Sequence, residues 1–219
     1  MARFKLAIFD LAGTTVKDTN TVGKCLQDAL EAVGVTVTVA DVNAVMGIRK
    51  PVAIQRLLDQ YGATGDVEMI DTDFRERMIE TYKTSAEVGE IPGVSSTFRV
   101  LKEMGFRIAV DTGFDRETVD ILLDRMNWGD LLDDSITSDE VANGRPSADM
   151  INELCRRAGA LPSETIKVGD TPADLQEGSA ARVGLNLAVS YGTHSADELE
   201  RFGPDAILSE ISDLLRLDI

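Results

Sequence analysis

Short apolar runs recur along this chain, and amphipathic helical patterns lie between most of them. Val119, Leu122 and Met126, for example, fall on one face of a helix, as do Ile151 and Leu154. Strands of this length that alternate with helices predict an α/β protein, in which a parallel sheet is covered by helices on both faces. The runs that predict strands are residues 6–9, 108–110, 135–137, 166–168 and 185–189.

The segment from residue 17 to residue 90 breaks this alternation, because its patterns are helical throughout. Its apolar residues recur at helical spacing, as Ile54 and Leu57 do, and no convincing strand pattern interrupts them. Pro92 and the glycine after it mark the return to the sheet. We therefore predict two domains: an α/β core of residues 1–16 and 91–219, and a small α-helical domain of residues 17–90, named here the helical insertion.

The charge of the chain restricts its partners. Lys and Arg number 22 against 38 Asp and Glu, which gives a net charge of −16. Nucleic acid and anionic membranes favour basic surfaces, so neither is expected as a partner. A phosphorylated substrate stays compatible, because a bound cation reverses the sign locally. No signal-peptide pattern is present and Cys25 and Cys155 form no CxxC motif, so we expect a soluble, cytoplasmic protein.

Acidic residues stand where predicted strands end. Asp10 ends the first apolar run, Asp111 follows the second, and Asp170 follows the fourth, with Asp174 four positions further on. The carboxyl ends of parallel strands meet at one edge of a sheet, so these carboxylates are expected to gather there. Their mutual repulsion would be relieved by a hard cation that prefers oxygen ligands. Individually they could instead be helix N-caps, which Asp also favours.

Four ordered motifs resemble those of the haloacid dehalogenase superfamily, and the likeness extends over the whole chain. They are Asp10-Leu11-Ala12-Gly13-Thr14, Thr112-Gly113, Arg145-Pro146, and Gly169-Asp170 followed by Asp174. The resemblance implies a Rossmann-like core with the helical insertion as its cap domain. It also implies that Asp10 is the nucleophile that forms an aspartyl-phosphate. By the same resemblance, Thr112 and the amide of Gly113 bind phosphoryl oxygens.

The resemblance further implies a Mg²⁺ cofactor, bound by Asp170, an oxygen of Asp10 and the carbonyl of Ala12. Asp174 would orient metal-bound water, and Arg145 would neutralise charge where most of the superfamily has lysine. The planar guanidinium of arginine can hold two oxygens at once. A carboxylate attacks a phosphorus dianion only if charge is screened, so cationic groups are expected to converge on Asp10.

Ala12 departs from the phosphatases of the superfamily, which usually carry an acid two residues after the nucleophile. Such an acid protonates the leaving group, and general acid–base help of this kind contributes about 10²–10⁴-fold. With Ala12 and Arg145, the chain resembles phosphonatases instead. In phosphonoacetaldehyde hydrolase, a cap lysine forms an imine with the substrate aldehyde. That imine accepts the electrons of the P–C bond, so no oxygen leaving group has to be protonated.

Lys50 stands at the matching position of the helical insertion. Pro51 suits the first turn of a helix, so the Lys50 ammonium would lie near a helix N-terminus, whose dipole disfavours its charge. Gly47 and Arg49 in the same segment are candidate substrate-binding residues. Two departures from phosphonoacetaldehyde hydrolase stand nearby: Ala53 replaces a histidine and Phe114 replaces a tyrosine. The sole histidine, His194, is expected in a loop that borders the active-site mouth.

These residues predict a Mg²⁺-dependent hydrolase that cleaves a small 2-oxo-phosphonate through an aspartyl-phosphate, with Lys50 as the residue that could form a Schiff base. The alternative is a phosphatase for a small phosphomonoester such as phosphoglycolate or a sugar phosphate. A non-enzymatic alternative is a phospho-acceptor receiver domain, which the long helical insertion and Asp174 disfavour. A dinucleotide-binding enzyme is disfavoured because no G-x-G-x-x-G follows a strand. The protein is expected to be a monomer or a homodimer.

Overall fold

The computed structural model describes residues 3–219 and contains one sheet of six parallel strands. The strands lie in the order β3-β2-β1-β4-β5-β6, so β1 is flanked by β2 and β4. The α/β architecture and the five predicted strands are confirmed. Their bounds are β1 Leu6–Asp10, β2 Arg107–Thr112, β3 Asp134–Thr137, β4 Thr165–Gly169, β5 Leu185–Val189 and β6 Ala206–Leu208.

Strand β6 is absent from the sequence prediction. It has three residues and follows Pro204 and Asp205, and a run this short carries no period that distinguishes a strand from a loop. Its backbone pairs with β5 alone, at the edge of the sheet. Tertiary pairing therefore creates this strand.

Helices cover both faces of the sheet, as the alternation of strands and helices predicts. Ala7 and Phe9 of β1 pack into the core on one face, which includes Phe98, whereas Leu6 and Ile8 pack on the other with Leu154. The helices outside the helical insertion are α5 Val94–Glu103, α6 Arg116–Met126, α7 Asp149–Ala158, α8 Pro172–Ala181 and α9 Ala196–Glu200.

The helical insertion contains four helices between β1 and α5, which agrees with its helical patterns. They are α1 Thr21–Glu31, α2 Val39–Asn43, α3 Lys50–Gln60 and α4 Val67–Thr84. The chain leaves and re-enters the sheet side by side: the Lys17 amide donates to the Gly89 carbonyl at 2.9 Å, and the Ile91 amide donates to the Thr15 carbonyl at 2.9 Å. The division into domains at 16/17 and 90/91 lies at this crossing and stays a prediction.

Between residues 3 and 219, no helix has both the length and the apolar composition needed to cross a membrane. Cys25 and Cys155 are buried free thiols, as their positions in helical patterns predict.

Candidate active site

Three buried carboxylates meet at the carboxyl edge of the sheet. Asp10 ends β1, Asp170 directly follows β4, and Asp174 lies in the first turn of α8. One oxygen from each lies within 4.8 Å of the others. The sheet explains this meeting, because β1 and β4 are neighbours and end at the same edge. The structure thus brings together the acidic residues that the motifs single out.

The chemistry of this cluster suits a divalent cation. Burial, and then repulsion from Asp174, raises the pKa of Asp10 to about 8 and that of Asp170 to about 6. A cation between these oxygens would remove that cost, and carboxylate oxygen is the ligand that Mg²⁺ prefers. Ala12 lines the same cavity as Asp10, and its carbonyl is the predicted third ligand. The residues present therefore fit the predicted metal.

The carboxylate of Asp174 contacts neighbouring groups of the protein. Its Oδ2 accepts hydrogen bonds from the Thr171 hydroxyl at 2.6 Å and the Thr171 amide at 3.1 Å, while its Oδ1 lies 3.0 Å from Arg145. Burial by itself would raise the pKa of Asp174, but Arg145 and Lys167 bring it below the ordinary value. Oδ2 is hydrogen-bonded and Oδ1 is ion-paired with Arg145, which agrees with a supporting position next to the predicted metal ligands.

Arg145 is fully enclosed by acidic groups. Its Nη1 donates to Asp10 Oδ1 at 2.7 Å, its Nε donates to Glu177 Oε2 at 2.9 Å, and its Nη2 binds the carboxylate and the carbonyl of Asp111. Asp174 completes the set. Every nitrogen of the guanidinium contacts a protein oxygen, so here Arg145 neutralises and orients Asp10. Direct binding of phosphoryl oxygens by Arg145 stays a prediction.

Thr112 and Gly113, the residues predicted to bind phosphoryl oxygens, lie at the end of β2 and line the same cavity as Asp10. A Cβ on Gly113 would lie 2.8 Å from both the Gly47 carbonyl and the Ile48 carbonyl. Gly47 has a φ of +78°, and a Cβ there would lie 2.4 Å from Thr171 Oγ1. Glycine is needed at both positions because the backbone of the helical insertion approaches the sheet this closely.

Lys50 points into the site from the start of α3. Its side chain is buried, and Nζ lies 5.4 Å from the ring centroid of Phe114, 5.7 Å from that of Phe74, and 3.5 Å from the Ile48 carbonyl. Burial lowers the pKa of Lys50 to about 8, against the opposing charge of Asp10. A neutral amine is therefore accessible near neutral pH, as the predicted nucleophilic role requires.

Asp10 and Lys50 share one closed cavity. It encloses about 30 Å³ of space that the centre of a water molecule can occupy, which is room for about two waters. A substrate can enter only if the helical insertion moves away from the sheet. The cavity is lined by Asp10, Ala12, Asp18, Val22, Met46, Gly47, Lys50, Thr112, Gly113, Phe114, Thr171 and Thr193.

Arg145, Asp170 and Asp174 lie outside this lining but cluster with Asp10. Two other residues of the sequence analysis, Arg49 and His194, also lie outside it. Arg49 is half-buried at the N-terminus of α3 and does not face the closed cavity. His194 lies in the loop after β5, as predicted, but its ring is buried beside the cavity instead of lining it. Burial lowers the pKa of His194, which favours the neutral imidazole.

A match to a family model identifies the protein family of this chain. The model of the family described as haloacid dehalogenase-like hydrolase matches residues 7–188. The chain belongs to this family. It is therefore a hydrolase, and the receiver-domain alternative is set aside.

Curated relatives of this haloacid dehalogenase-like hydrolase are phosphatases. The chain is 30% identical over 69% of its length to pyrophosphatase PpaX of Halalkalibacterium halodurans, covering 73% of that protein. It is 27% identical over 96% of its length to a phosphoglycolate phosphatase of Pseudomonas savastanoi pv. phaseolicola, covering 78% of that protein. These names support the phosphomonoester alternative better than P–C cleavage.

Solved structures share the fold of this chain. A hydrolase from Pseudomonas syringae superposes with a TM-score of 0.88 at 19% identity, covering 97% of this chain and 96% of that one. A phosphonoacetaldehyde hydrolase-like protein from Oleispira antarctica superposes with a TM-score of 0.83 at 20% identity, covering 99% and 92%. At this identity the likeness supports the fold alone.

Sequence reasoning missed two charged residues that pair with the buried ion network of this hydrolase site. Lys167 of β4 and Glu177 of α8 are fully buried. Lys167 Nζ pairs with Asp111 and lies 3.1 Å from Asp174 Oδ1. A second group of carboxylates, Asp111, Asp174 and Glu177, has the spacing of a metal site. It is already neutralised by ion pairs with Arg145 and Lys167. A lysine inside an otherwise buried strand was the available signal, because such a charge needs a partner.

Proposed function

We propose that this chain is a Mg²⁺-dependent hydrolase that cleaves the P–C bond of a small 2-oxo-phosphonate. One observation carries the proposal: Lys50 and Asp10 line the same closed cavity, and the position two residues after the nucleophile is Ala12. A buried amine beside the nucleophile supplies a route for the leaving group that needs no acid at position 12.

Asp10 is arranged for attack on phosphorus. Its Oδ1 accepts the hydrogen bond from Arg145, whereas its Oδ2 accepts none within residues 3–219 and is free to attack. Asp10, Asp170 and the Ala12 carbonyl would hold Mg²⁺, which supplies charge screening between the carboxylate and the phosphonate dianion. Thr112 and the Gly113 amide would bind phosphoryl oxygens, which their place in the lining of the cavity supports.

Lys50 would open the path for the carbon group. Its amine condenses with the substrate carbonyl and releases water, which leaves a protonated imine. When Asp10 attacks phosphorus, the electron pair of the P–C bond moves into the imine and gives an enamine. The enamine takes a proton at carbon and is hydrolysed, which frees Lys50. Water hydrolyses the aspartyl-phosphate to phosphate and Asp10.

A small phosphomonoester is the second candidate substrate. The names of the curated relatives favour it, since they are a phosphoglycolate phosphatase and a pyrophosphatase. In that case Lys50 would act as a cation that binds an anionic group such as a carboxylate. The leaving oxygen would take its proton from water or from another residue of the cavity, because Ala12 cannot supply it.

Turnover separates the two candidates. We would measure phosphate release from 2-oxoethylphosphonate, phosphoglycolate and a sugar phosphate, with Mg²⁺ and with EDTA. Lys50→Arg retains the charge but cannot sustain imine chemistry at ordinary pH, so it should abolish P–C cleavage and spare ester hydrolysis. Ala12→Asp should raise ester hydrolysis by about 10²-fold or more. P–C cleavage that survives Lys50→Arg would refute the first candidate.

We also propose that the protein acts as a monomer or homodimer in the cytoplasm, without nucleic-acid or membrane partners. The net charge of −16 supports this, because like charge repels both polyanions. Light scattering after size-exclusion chromatography measures the oligomeric state. Binding to duplex DNA or to anionic vesicles at physiological salt would contradict the proposal.

A further inference from the structure

Asp18 is a carboxylate of the cavity that the motifs do not single out. It lies on the segment between β1 and α1, eight residues after the nucleophile. Its side chain lines the closed cavity together with Asp10 and Lys50. Because that cavity holds about two waters, these three ionisable groups surround the same small volume.

One oxygen of Asp18 is fixed and the other is free. Oδ1 accepts a hydrogen bond from the Thr21 amide at 2.5 Å and a longer one from the Val22 amide at 3.4 Å. These are the first amides of α1, so they orient the carboxyl group. Within the described residues Oδ2 accepts no hydrogen bond, which leaves it able to carry and deliver a proton.

The chemistry proposed for Lys50 requires such a group. An amine that has added to a carbonyl carries a hydroxyl, and this oxygen leaves as water only after it is protonated. Ala12, Ala53 and Phe114 have no group that can transfer a proton. Among the described residues that line the cavity, the side chains that ionise in the ordinary pH range are Asp10, Asp18 and Lys50. Since Asp10 attacks phosphorus and Lys50 attacks the carbonyl, Asp18 is the one left.

Asp18 also has access to protons from solvent. A groove of about 610 Å³ lies on the outside of the same segment, lined by residues that include Lys17, Tyr191 and Glu210. Among the described residues, Asp18 is the one that lines both this groove and the closed cavity. A proton taken from water in the groove can therefore reach the cavity while the helical insertion is closed.

We propose that Asp18 is the acid–base residue for imine formation at Lys50, an inference that rests on the proposed P–C cleavage. The Asp18 carboxyl gives its proton to the hydroxyl of the Lys50 adduct. The C–O bond breaks, water leaves, and the nitrogen lone pair forms the protonated imine. In the final hydrolysis, water adds to the imine carbon and the Asp18 carboxylate takes back a proton, which restores the starting state.

The surroundings of Asp18 are compatible with a carboxyl group that can be protonated. Burial raises its pKa, while the amides of Thr21 and Val22 and the charge of Lys50 oppose the rise. The other ionisable groups near it are Cys25 of α1 and Tyr82 of α4, Asp10 in the cavity, and Lys17, Tyr191 and Glu210 along the groove. Because the protonated form is the active one, imine formation should slow as pH rises through the pKa of Asp18.

Borohydride trapping tests the proposal directly. The protein with Mg²⁺ is mixed with 2-oxoethylphosphonate and borohydride, and alkylation of Lys50 is followed by peptide mass spectrometry against pH. Asp18→Asn keeps an oxygen that accepts from Thr21 but cannot donate a proton as an acid. We expect it to slow trapping by about 10²-fold and to abolish the decline of the rate with rising pH. Asp18→Glu should recover part of the rate.

A matched control is Asp66→Asn, because Asp66 caps α4 of the same helical insertion through the amides of Glu68 and Met69 and lies outside the cavity lining. It should trap at the wild-type rate. Thermal unfolding of all variants monitors the fold, and Asp18→Ser offers a second cap without an acid. Wild-type trapping with equal trapping in Asp18→Asn overturns the role of Asp18 and leaves the proposed function standing. A wild type that is never trapped overturns both.

Discussion

Lys167 shows how a single charge is accommodated in the interior of this protein. It stands in the middle of β4, fully buried, and its ammonium meets Asp111, Asp174 and Glu177. With Arg145, it provides the two fixed positive charges that face the buried carboxylates of the site. Removing one partner of such a set leaves uncompensated buried charge, which costs far more than the pair contributes.

Lys167→Met should therefore destabilise the fold by about 3–5 kcal/mol. The free energy of unfolding would be measured by urea denaturation in EDTA and again in Mg²⁺. Lys102→Met is the matched control, because Lys102 pairs with Asp133 at 2.9 Å where both side chains are partly exposed. Exposed pairs of this kind contribute about 0–1 kcal/mol. A loss in Lys167→Met no larger than in the control would contradict the buried network.

The residues of the motifs were predictable, and their partners were not. Asp10, Asp170 and Asp174 follow from motif spacing and strand ends, and the structure gathers them. The hydrogen bond from Arg145 to Asp10 joins residues 135 positions apart, so local patterns carry no information about it. Asp18 is a second example, because Asp18 and Lys50 line the same cavity but belong to different segments of the chain.

At the level of elements, α4 connects the helical insertion to the core through packing and hydrogen bonds. It packs against α6. Arg125 of α6 donates from Nη1 to the Tyr82 carbonyl at 2.6 Å and from Nη2 to the Ser85 carbonyl. The last carbonyls of a helix have no partner within the helix, so Arg125 supplies a cap from outside the helical insertion. This contact resists movement of α4 away from the sheet.

Arg125→Ala should loosen the end of α4. Unpaired carbonyls cost about 1–3 kcal/mol when buried, so we expect faster hydrogen exchange in residues 80–88 by about tenfold or more. Exchange measured by mass spectrometry would locate the effect. Asp124→Ala is the control, because Asp124 is exposed on the same helix and its carboxylate makes no hydrogen bond within residues 3–219. Equal exchange in both variants would show that Arg125 does not fasten α4.

For the molecule as a whole, the structure shows one feature that the sequence does not: the helical insertion lies closed against the sheet. The helical insertion reaches the sheet so closely that Gly113 touches the backbone carbonyls of Gly47 and Ile48. The resulting cavity is narrow, and charge interactions are stronger in such a space than in open water. Catalysis in this form requires an opening to admit substrate and a tight closure to assemble Asp10 with Lys50.

Gly113→Ala should prevent full closure. Its Cβ would meet two carbonyl oxygens at 2.8 Å, and relief of such a clash costs about 1–3 kcal/mol. We expect kcat/KM to fall by about 10–100-fold, with little change in Tm because the helical insertion can remain open. Gly89→Ala is the control, since a Cβ there meets nothing within 4 Å. Wild-type kcat/KM in Gly113→Ala would argue that the closed form is not the catalytic one.

The sequence by itself indicated five of the six strands, the helical nature of the insertion, and the acidic cluster that contains the predicted nucleophile Asp10. These features are carried by periodicity and by residues that stand close together in the chain. Only the tertiary structure decided which cations face Asp10, that Lys167 and Glu177 belong to the site, and that Lys50 and Asp18 share a closed cavity with the nucleophile. Charge pairing and closure depend on distances between elements, and these exist only once the chain has folded.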